Sequence, residues 1–505
     1  MKLFTTDQIK KIERATIANE GVTSLQLIDR VAEGVACEVV SMLTPQSRIA
    51  VFAGPGNNGA DALATARMLY DQGYRPDVFL FNIGGDKLGD DCRCCRDMLL
   101  QAFPDADFTE VTKQFNRPLL TRNHIVIDGL FGTGLRESLS GGFRELVKYI
   151  DDSEARVVSI DIPSGLFRDW NPNAIHRNML HADLTLAIQF PHFSFFMEEN
   201  NEVIGNWKTL DIGLSNTEIR KTTAPFHLVE RADVRRLLHR RPEFCSKADF
   251  GSALLVAGSY GMMGAAVLAA RGALRAGAGK ISVYAPRCGY EIMQTSVPES
   301  MFVAANSDIR ISSIRLDNTY SAIGLGPGIG TADTTIDALE QFLQEHREPV
   351  VLDADALNCI AKRQSLLHRI PVNSILTPHA GEFDRIFGQQ PNSETRLVKA
   401  IEVARFHRIL IVLKGRFTTI VMPDGRLCFN SSGNPAMATP GSGDVLTGVI
   451  TSLLAQGYQS KAAAICGVYI HGYAGDIAAE SEGQYGVTAG DIASNIGRAI
   501  KYVLN

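Results

Sequence analysis

The chain has 505 residues, more than one hydrophobic core usually serves, so we expect at least two domains. Hydrophobic residues make up 45% and charged residues 21% of the sequence, which is typical of a folded protein rather than a disordered one. The formal net charge of −5 at pH 7 argues against nucleic-acid binding as the main function, since phosphate backbones need a basic surface.

Further features predict a cytoplasmic protein. No apolar run is long enough to span a membrane, and the charged N-terminal stretch lacks the apolar region of a signal peptide. The nine cysteines are odd in number and widely spread, which does not suit a disulfide framework. Cys92, Cys94 and Cys95 are clustered, but no second cysteine or histidine pair lies at zinc-ligand spacing nearby, so we expect free thiols.

The first half of the chain alternates apolar, strand-like runs with helical patterns. The stretch ADALATARMLYDQG (60–73), for example, follows the first of these runs and is a predicted helix. Such alternation is typical of βαβ units and a mostly parallel sheet. The predicted strands cover residues 48–54, 76–82, 124–132, 155–163, 182–188 and 207–214.

A charged, irregular stretch at 215–251 separates the two halves, and we interpret it as a linker with a short helix. The predicted domains are therefore 1–217 and 218–505. A strand at 251–259 and an Ala-rich helix at 264–279 open a second α/β pattern. Further strands are predicted in the runs KISVYAP, YSAIGLGPG, PVVLDADAL, NSILTPHAGEF and RILIVLKG, and Pro-Asp-Gly in TTIVMPDGRLCFNSS predicts a hairpin turn.

Polar residues gather at three predicted strand ends of the first half. AGPGNNGADALATAR (53–67) follows a strand and opens a helix, which favours an anion, although neither nucleotide-binding fingerprint fits it. Asp128 ends a second strand, and Asp161 and Ser164 end a third. These groups are expected on one edge of the sheet, where Asn58, Asp128 and Ser164 offer oxygen ligands suited to an alkali or alkaline-earth ion. Ordinary turns with capping residues are the alternative.

The stretch ATPGSGDVLTG (438–448) carries comparable chemistry in the second half. Gly441 and Gly443 flank Ser442, and Asp444 opens an apolar helix whose first N–H groups form an anion site. Because a carboxylate there would repel phosphate, Asp444 is better interpreted as a base for a hydroxyl that faces a phosphoryl donor. A tight turn before a buried helix is the alternative. Supporting groups at other strand ends are Gly326, Gly328, Asp353, Asp355, His379, Glu382, Lys414 and Thr418.

Both halves resemble known families. GPGNNGADALATAR, DGLFGTGL, DIPSG and DIG occur in the order of the NAD(P)H-hydrate epimerase domain, the YjeF N-terminal domain. VAGSYGMMGAAVLAARGALRAGAG, GLGPGIG, LDADALN, LTPHAGEF, LKG and ATPGSGDVLTG are similar to the blocks of the ADP/ATP-dependent NAD(P)H-hydrate dehydratases. The resemblance covers nearly the whole chain. It implies an α/β protein in which a Rossmann-like three-layer α/β/α domain precedes a ribokinase-like α/β/α domain.

The resemblance also implies a reaction, the repair of hydrated NADH and NADPH (NADHX and NADPHX), which carry a hydroxyl at C6 of the nicotinamide ring. The first domain would interconvert the R and S epimers. The second would phosphorylate the hydroxyl of the S epimer from ADP and eliminate phosphate, leaving AMP. Magnesium would accompany ADP, and potassium would bind the epimerase domain. Family members form symmetric assemblies, so a homo-oligomer without nucleic-acid or membrane partners is expected.

The matching positions imply roles for individual residues. Asp161 would be the acid/base of epimerisation, Asp444 the base of dehydration, and Asn58, Asp128 and Ser164 the potassium ligands. Besides Asp161 and Asp444, the hydrate would contact Asn57, Asn58, Gly59, Ala60, Asp61, Gly132, Thr133, Gly134, Leu135, Arg136, Glu137, Ser138, Ala253, Gly326, Gly328 and His379. The adenine nucleotide would contact Lys414, Gly415, Arg416, Phe417, Thr418 and Gly443.

One segment, 191–207, departs from the family pattern. His192 and Phe193 follow Pro191, where the families often carry a lysine. Two alternatives stay open beside the repair enzyme, and this segment supports only the second of them. One is a ribokinase-like kinase for a small molecule such as a vitamin precursor or a sugar, which would leave a stable phosphorylated product. The other is a first half that serves only as a binding module.

Overall fold

The computed structural model of the chain describes residues 1–85, 87–170 and 178–505. The chain folds into two compact units, Lys2–Pro225 and Phe226–Asn505, with Met1 assigned to the second. The predicted boundary between residues 217 and 218 falls within a short helix of the first unit, Asn216–Lys221. In the described ranges, no helix combines the length and the apolar character needed to cross a membrane.

The first unit is an α/β fold. Its strands are β1 (Lys2–Leu3), β2 (Arg48–Ala53), β3 (Asp77–Phe81), β4 (Phe108–Val111), β5 (His124–Gly129), β6 (Arg156–Ile160), β7 (Leu184–Ile188) and β8 (Asn206–Leu210). Its helices are α1 (Thr6–Glu20), α2 (Ser24–Ser41), α3 (Asn57–Asp71), α4 (Asp90–Ala102), α5 (Gly141–Asp151), α6 (Asn201–Ile204) and α7 (Asn216–Lys221). Strands and helices alternate from β2 to β4, as the sequence predicted, whereas β5 follows β4 without a helix between them.

The sheet of this unit has the order β4-β3-β2-β5-β6-β7-β8, and each neighbouring pair is parallel. The residues of β5 are buried throughout, as expected for a parallel strand covered on both faces. Successive strands run outward in one direction from β2 and in the other from β5. The strand order therefore reverses between β2 and β5, and such a reversal leaves a crevice at the carboxyl ends of the strands.

The second unit is also α/β. Its strands are β9 (Phe226–Val229), β10 (Ser252–Val256), β11 (Lys280–Ala285), β12 (Met301–Ala304), β13 (Ala322–Leu325), β14 (Val350–Leu352), β15 (Ile375–Leu376), β16 (Leu410–Leu413), β17 (Thr419–Val421) and β18 (Leu427–Asn430). Its helices are α8 (Arg231–Leu237), α9 (Met263–Ala276), α10 (Tyr290–Ser296), α11 (Asp333–Glu345), α12 (Asp355–Lys362), α13 (Ala380–Phe387), α14 (Ser393–His407), α15 (Ser442–Ala455), α16 (Ser460–Gly486) and α17 (Ala489–Leu504). The predicted α/β class is thus confirmed in both halves.

The sheet of the second unit runs in the order β9-β18-β17-β16-β15-β14-β13-β10-β11-β12. It is parallel from β16 to β12, whereas β17 and β18 form the predicted antiparallel hairpin. Its strand order reverses between β10 and β13, which marks a second crevice. The linker prediction for 215–251 was wrong in part, because β9 lies within it and pairs with β18. This strand is only four residues long and is flanked by charged residues, which hides it in the sequence.

Candidate active sites

In the first unit, the start of α3 packs against the loop that follows β5. A Cβ atom added at Gly54 would lie 1.7 Å from the Leu130 carbonyl oxygen, so no larger residue fits there. The approach places residues 57–61 in the crevice between β2 and β5. Asn57 is exposed, whereas Asn58, Gly59, Ala60 and Asp61 are buried.

Asp128, at the end of β5, is fully buried and hydrogen-bonded on both carboxylate oxygens. Oδ1 accepts from Ser164 Oγ at 2.6 Å and from the Leu130 N–H at 3.2 Å. Oδ2 accepts from Ser159 Oγ at 2.8 Å and from the Ser164 N–H at 2.9 Å. Burial raises the pKa of Asp128, while the bonds from Ser164 and Ser159 oppose this rise. The structure thus brings together two of the three predicted cation ligands.

Asn58, the third predicted ligand, lies beside the same loop. A Cβ atom at Gly132 would be 3.3 Å from the Asn58 Cγ, which places Gly132 against this side chain. The Asn58 Nδ2 is buried and has no hydrogen-bond partner within the described residues. The main influences on the pKa of Asp128 are burial and hydrogen bonds from Ser164, Ser159 and Leu130, and no cationic side chain is among them. The amide oxygen of Asn58, the carboxylate of Asp128 and the hydroxyl of Ser164 are hard oxygen ligands, and with one negative charge among them they fit a monovalent cation in ligand type and charge.

The loop after β5 contains the other predicted hydrate contacts of this edge. Its backbone turns at the Leu135 N–H, which donates to the Gly132 carbonyl at 3.3 Å. Gly134, Arg136 and Glu137 in this loop are exposed to solvent, and Thr133 and Ser138 are partly buried. The loop therefore borders the crevice through Gly132, and its tip is available to a ligand.

Asp161 follows β6 with an unusual backbone conformation, φ +65°. A non-glycine residue rarely adopts this left-handed region, and such residues are concentrated at functional sites. Its Oδ1 lies 2.9 Å from His192 Nε2 and accepts from the Ile188 N–H at 3.2 Å. Burial raises the pKa of Asp161, but His192 and then Arg168 outweigh this effect, so the pKa lies below its usual value. Asp161 is therefore ionised at neutral pH.

At the same edge of the sheet, the pKa of Asp61 is shifted in the opposite direction to that of Asp161. Burial raises the pKa of Asp61 well above its usual value, and the charges of Asp161 and Glu13 add to the rise. Burial and then Asp161 also raise the pKa of Glu13, which lies on α1. Carboxyl groups whose pKa values are pushed apart are typical of acid–base sites. Glu13 and the contact from His192 were not predicted, because they lie far from Asp161 in the chain. Arg168 is close to Asp161 in sequence but lies in an irregular loop, and it was not predicted either.

In the second unit, the loop after β13 passes close to the end of β14. Gly326 has φ +129°, and a Cβ atom there would lie 1.8 Å from the Asp353 carbonyl oxygen. Gly328 is held against the loop after β10, where its carbonyl accepts from Ser259 Oγ at 2.7 Å. Only glycine allows both this conformation and this approach at position 326. The two predicted glycines therefore line the crevice between β10 and β13.

A buried ion pair occupies the neighbouring strand ends. Lys414, after β16, donates through Nζ to Asp353 Oδ1 at 2.9 Å and lies 3.9 Å from Glu382 Oε2. Thr447 of α15 donates to the other oxygen of Asp353 at 2.7 Å. Burial lowers the pKa of Lys414, but Asp353 and Glu382 together raise it above its usual value. The lysine is therefore a fixed cation at this edge.

Asp444 lies in the first turn of α15, as predicted. Gly441 precedes the helix with φ +86°, and Gly443 lies against Lys414, whose Nζ would be 3.2 Å from a Cβ atom at that position. Burial, followed by the charge of Asp353, raises the pKa of Asp444 to about 7, although Lys414 opposes the rise. A carboxyl group that is half ionised near neutral pH is well suited to accept a proton.

His379, a predicted contact of the hydrate, also caps a helix. Its Nδ1 accepts from the N–H groups of Gly381 and Glu382, which caps α13, and its own N–H donates to Glu382 Oε2 at 2.9 Å. The side chain is still 56% exposed, and its backbone bridges to Lys414. His379 thus lies beside the Lys414 cluster with its Nε2 edge accessible.

Of the remaining predicted residues, those at 415–418 lie next to Lys414, whereas Ala253 lies elsewhere. Gly415 and Thr418 form a turn after Lys414, in which Thr418 Oγ1 donates to the Gly415 carbonyl at 3.0 Å. Arg416, next to Phe417 in the same turn, donates to the Gly433 carbonyl at 2.9 Å. Ala253, by contrast, is fully buried near the start of β10 and pairs with Ala322, away from the carboxyl ends of the strands. The structure does not bring Ala253 to the group around Asp444.

Two family models match the chain. The model described as YjeF-related protein N-terminus matches residues 24–193, and the model described as NAD(P)H-hydrate dehydratase matches residues 253–498. A crystal structure of the ADP/ATP-dependent NAD(P)H-hydrate dehydratase from Bacillus subtilis, co-crystallised with ATP and Mg²⁺, is 32% identical. It covers 55% of this chain and 98% of its own, with a TM-score of 0.49.

Relatives that match nearly the whole chain share the same description. The bifunctional NAD(P)H-hydrate repair enzyme of Thermofilum pendens is 32% identical and covers 99% of this chain and 96% of its own. That of Moorella thermoacetica is 32% identical and covers 97% and 95%. The resemblance predicted from the motifs is thereby confirmed. Because the similarity extends over both units in the same order, this chain belongs to the family of bifunctional NAD(P)H-hydrate repair enzymes.

Proposed function

We propose that the chain repairs both epimers of hydrated NADH and NADPH. The first unit interconverts the R and S hydrates. The second dehydrates the S hydrate with ADP as phosphoryl donor and releases AMP and phosphate. The observation that carries this proposal is Asp444, a carboxyl group with a pKa of about 7 in the first turn of α15, next to the Gly443–Lys414 contact. A proton acceptor, a cation and a helix N-terminus at one point suit the phosphorylation of a hydroxyl.

In the second unit, Asp444 accepts the proton of the C6 hydroxyl while the hydroxyl oxygen attacks the β-phosphorus of ADP. The bond from that phosphorus to the α-phosphate oxygen breaks, and AMP leaves. The C6–O bond of the phosphate ester then breaks, and loss of a proton from C5 restores the ring double bond. Lys414 and the N–H groups at the start of α15 stabilise the negative charge that develops on the phosphate oxygens. Gly326, Gly328 and His379 border the hydrate.

The adenine nucleotide would contact Gly443 and the turn formed by residues 414–418. Magnesium would neutralise charge on the phosphate oxygens of ADP. Within the described ranges, no group of three or more His, Cys, Asp or Glu side chains is placed to hold a metal ion. Two acidic residues of the site, Asp353 and Glu382, already contact Lys414. The ion is therefore expected to enter on the nucleotide.

The rate of dehydration should depend on the ionisation of Asp444. Because a base acts in its ionised form and burial raises the pKa of Asp444 in the free enzyme to about 7, kcat/KM for the S hydrate should fall as the pH decreases through about 7. Below that point we expect a loss of about tenfold per pH unit. Initial rates with purified S hydrate and saturating ADP between pH 5.5 and 8.5 measure this dependence. A profile that is flat down to pH 5.5 would contradict the role of Asp444.

In the first unit we propose Asp161 as the acid/base of epimerisation. It is ionised and still partly accessible, which suits a group that exchanges a proton with the C6 hydroxyl. Residues 57–61 and 132–138 would contact the nucleotide portion of the hydrate. Asn58, Asp128 and Ser164 would hold a potassium ion, which supplies positive charge at this edge.

Potassium should stabilise the first unit and increase its activity. We expect the Tm of this unit to rise with KCl concentration at constant ionic strength, with choline chloride as the balancing salt. Binding at ten times Kd corresponds to about 1.4 kcal/mol. Replacing Asn58 with alanine should remove most of this increase. An equal response to K⁺, Na⁺ and choline in the wild-type chain would contradict a specific site.

The proposed function is tested with a racemic mixture of R and S NADHX. The purified chain, ADP, Mg²⁺ and K⁺ are combined, and the absorbance of NADH at 340 nm is followed beside a parallel reaction with ATP. We expect full recovery with ADP. Because the dehydratase consumes only the S epimer, full recovery requires that the first unit convert the R hydrate to the S hydrate. Recovery that stops near half would contradict epimerisation. No recovery, with a stable phosphorylated product, would instead indicate a small-molecule kinase. Light scattering of the same preparation measures the proposed homo-oligomer.

A further inference from the structure

The carboxylate of Asp161 is held at one of its two oxygens. Oδ1 is bound by His192 Nε2 and by the Ile188 N–H, at 2.9 Å and 3.2 Å. Oδ2 accepts no hydrogen bond from the residues that the structure describes. A carboxylate bound in this way has a fixed orientation, and one oxygen stays free for another ligand.

Exposure separates the roles of the two side chains. The Asp161 side chain is 12% exposed, whereas His192 is 0% exposed. Only Asp161 is therefore able to touch a substrate, and His192 acts through it. The His192 ring packs edge-on against Phe195, with 5.1 Å between the ring centroids. Phe195 in turn belongs to a buried cluster whose other members are Ile162, Leu166, Met179, Ala187, Val203 and Ile204. The imidazole is thus held firmly in place.

The charged groups around this contact are few. Asp161 and Arg168 face His192, and Glu13 and Asp61 act on Asp161 from α1 and α3. Burial lowers the pKa of His192, so the imidazole is neutral at pH 7. Its proton belongs on Nε2, where it donates to Asp161, while Nδ1 has no partner among the described residues. A neutral donor of this kind favours the ionised form of the carboxylate.

We propose that His192 is a positioning residue of the epimerase site, which holds Oδ1 of the Asp161 carboxylate and thereby directs Oδ2 toward the C6 hydroxyl of the hydrate. This inference rests on the proposed epimerisation. It assigns a function to the segment after Pro191, in which the sequence departs from the family pattern. The contact also fixes the left-handed backbone of Asp161, since the side chain is anchored to an element 31 residues further along the chain.

The test compares His192→Phe, which removes the donor, with His192→Gln, whose amide N–H replaces it. For the conversion of R to S hydrate by the full chain with K⁺, we expect His192→Phe to lower kcat about 100-fold with little change in KM, because misplacement of a reacting group by about 1 Å has this effect. His192→Gln should recover kcat to within about tenfold of wild type. In His192→Phe the acidic limb of the pH profile should move to higher pH, because Asp161 loses a donor that stabilises its anion.

Two controls make the outcome decisive. Dehydration of purified S hydrate by the same variants reports on the second unit, and far-UV circular dichroism with thermal unfolding reports on the fold of the first. A His192→Phe variant with wild-type kcat and pH profile would overturn the inference. So would equal losses in both variants with an unmoved acidic limb, since that pattern indicates only a structural role. A wild-type chain that dehydrates the S hydrate but never converts the R hydrate would refute the proposed epimerisation itself.

Discussion

Replacing Asp444 with asparagine should lower kcat for ADP-dependent dehydration by about 10³-fold, because a positioned general base typically contributes 10²- to 10⁴-fold. The amide retains the volume of the side chain but cannot accept the hydroxyl proton. The measurement is the initial rate of NADH formation from S hydrate at saturating ADP. Epimerisation in the first unit should be unchanged, which provides a control within the same molecule.

The stability of this variant supplies an independent check. The folded-state pKa of Asp444 is raised to about 7, above its unfolded value, so its ionisation opposes folding at alkaline pH. This unfavourable contribution is absent at low pH, grows as the pH rises toward 7 and is fully present at pH 8. Asp444→Asn should therefore be at least as stable as wild type at pH 8. A variant of the exposed Asp424 in the hairpin turn, Asp424→Asn, should keep wild-type activity. Activity retained by Asp444→Asn would refute the assigned base.

Replacing Lys414 with methionine should remove dehydratase activity and lower the free energy of unfolding of the second unit by about 3–5 kcal/mol. The lysine side chain is 22% exposed and pairs with Asp353, which is 2% exposed. Without the cation, a buried carboxylate is left with the Thr447 hydroxyl and no opposite charge. Urea unfolding followed by circular dichroism measures the change, and the NADH assay measures the activity.

Two further variants separate charge burial from catalysis. In the double variant Lys414→Met/Asp353→Asn the buried charge is gone, so most of the stability should return while the activity does not. Lys399→Met removes a surface lysine that pairs with the exposed Glu402 and should change stability by less than about 1 kcal/mol. If Lys414→Met and Lys399→Met unfolded at the same urea concentration, the Lys414–Asp353 pair would not contribute the expected stability to the second unit.

Much of the fold could be predicted because parallel strands are continuous apolar runs separated by helical patterns. The ends of the strands were less accurate. The predicted strand at 124–132 stops at Gly129 in the structure, since Leu130 and Phe131 are apolar but belong to a packed loop. The strand β4 was not predicted, because two of its four residues are exposed and it lacks an apolar pattern. Hydrophobicity reports burial, and burial alone does not show where hydrogen-bonded pairing ends.

The position of each site could also be predicted, but not the contacts inside it. Parallel strands place their carboxyl ends on one edge, so Asp128 was found from its place at the end of a strand. Asp444 was found from the glycines before it and its place at the start of an apolar helix. The partners that set their chemistry lie far away in sequence. Lys414 and Asp353 are 61 residues apart, and His192 and Asp161 are 31 apart. Such pairings depend on how loops fold back on the sheet, and no local spacing reveals them.

The division of one chain into two compact units has a consequence for the balance of the two reactions. Each molecule carries one epimerase site and one dehydratase site, so the two kinds of site are always present in equal number. The ratio of their fluxes is then set by their turnover numbers and by substrate concentrations, and changes in protein amount do not alter it. Where epimerisation is the faster step, the R hydrate is converted to the S hydrate and then removed at a rate limited by dehydration in the second unit. ADP supply then controls the removal of both epimers.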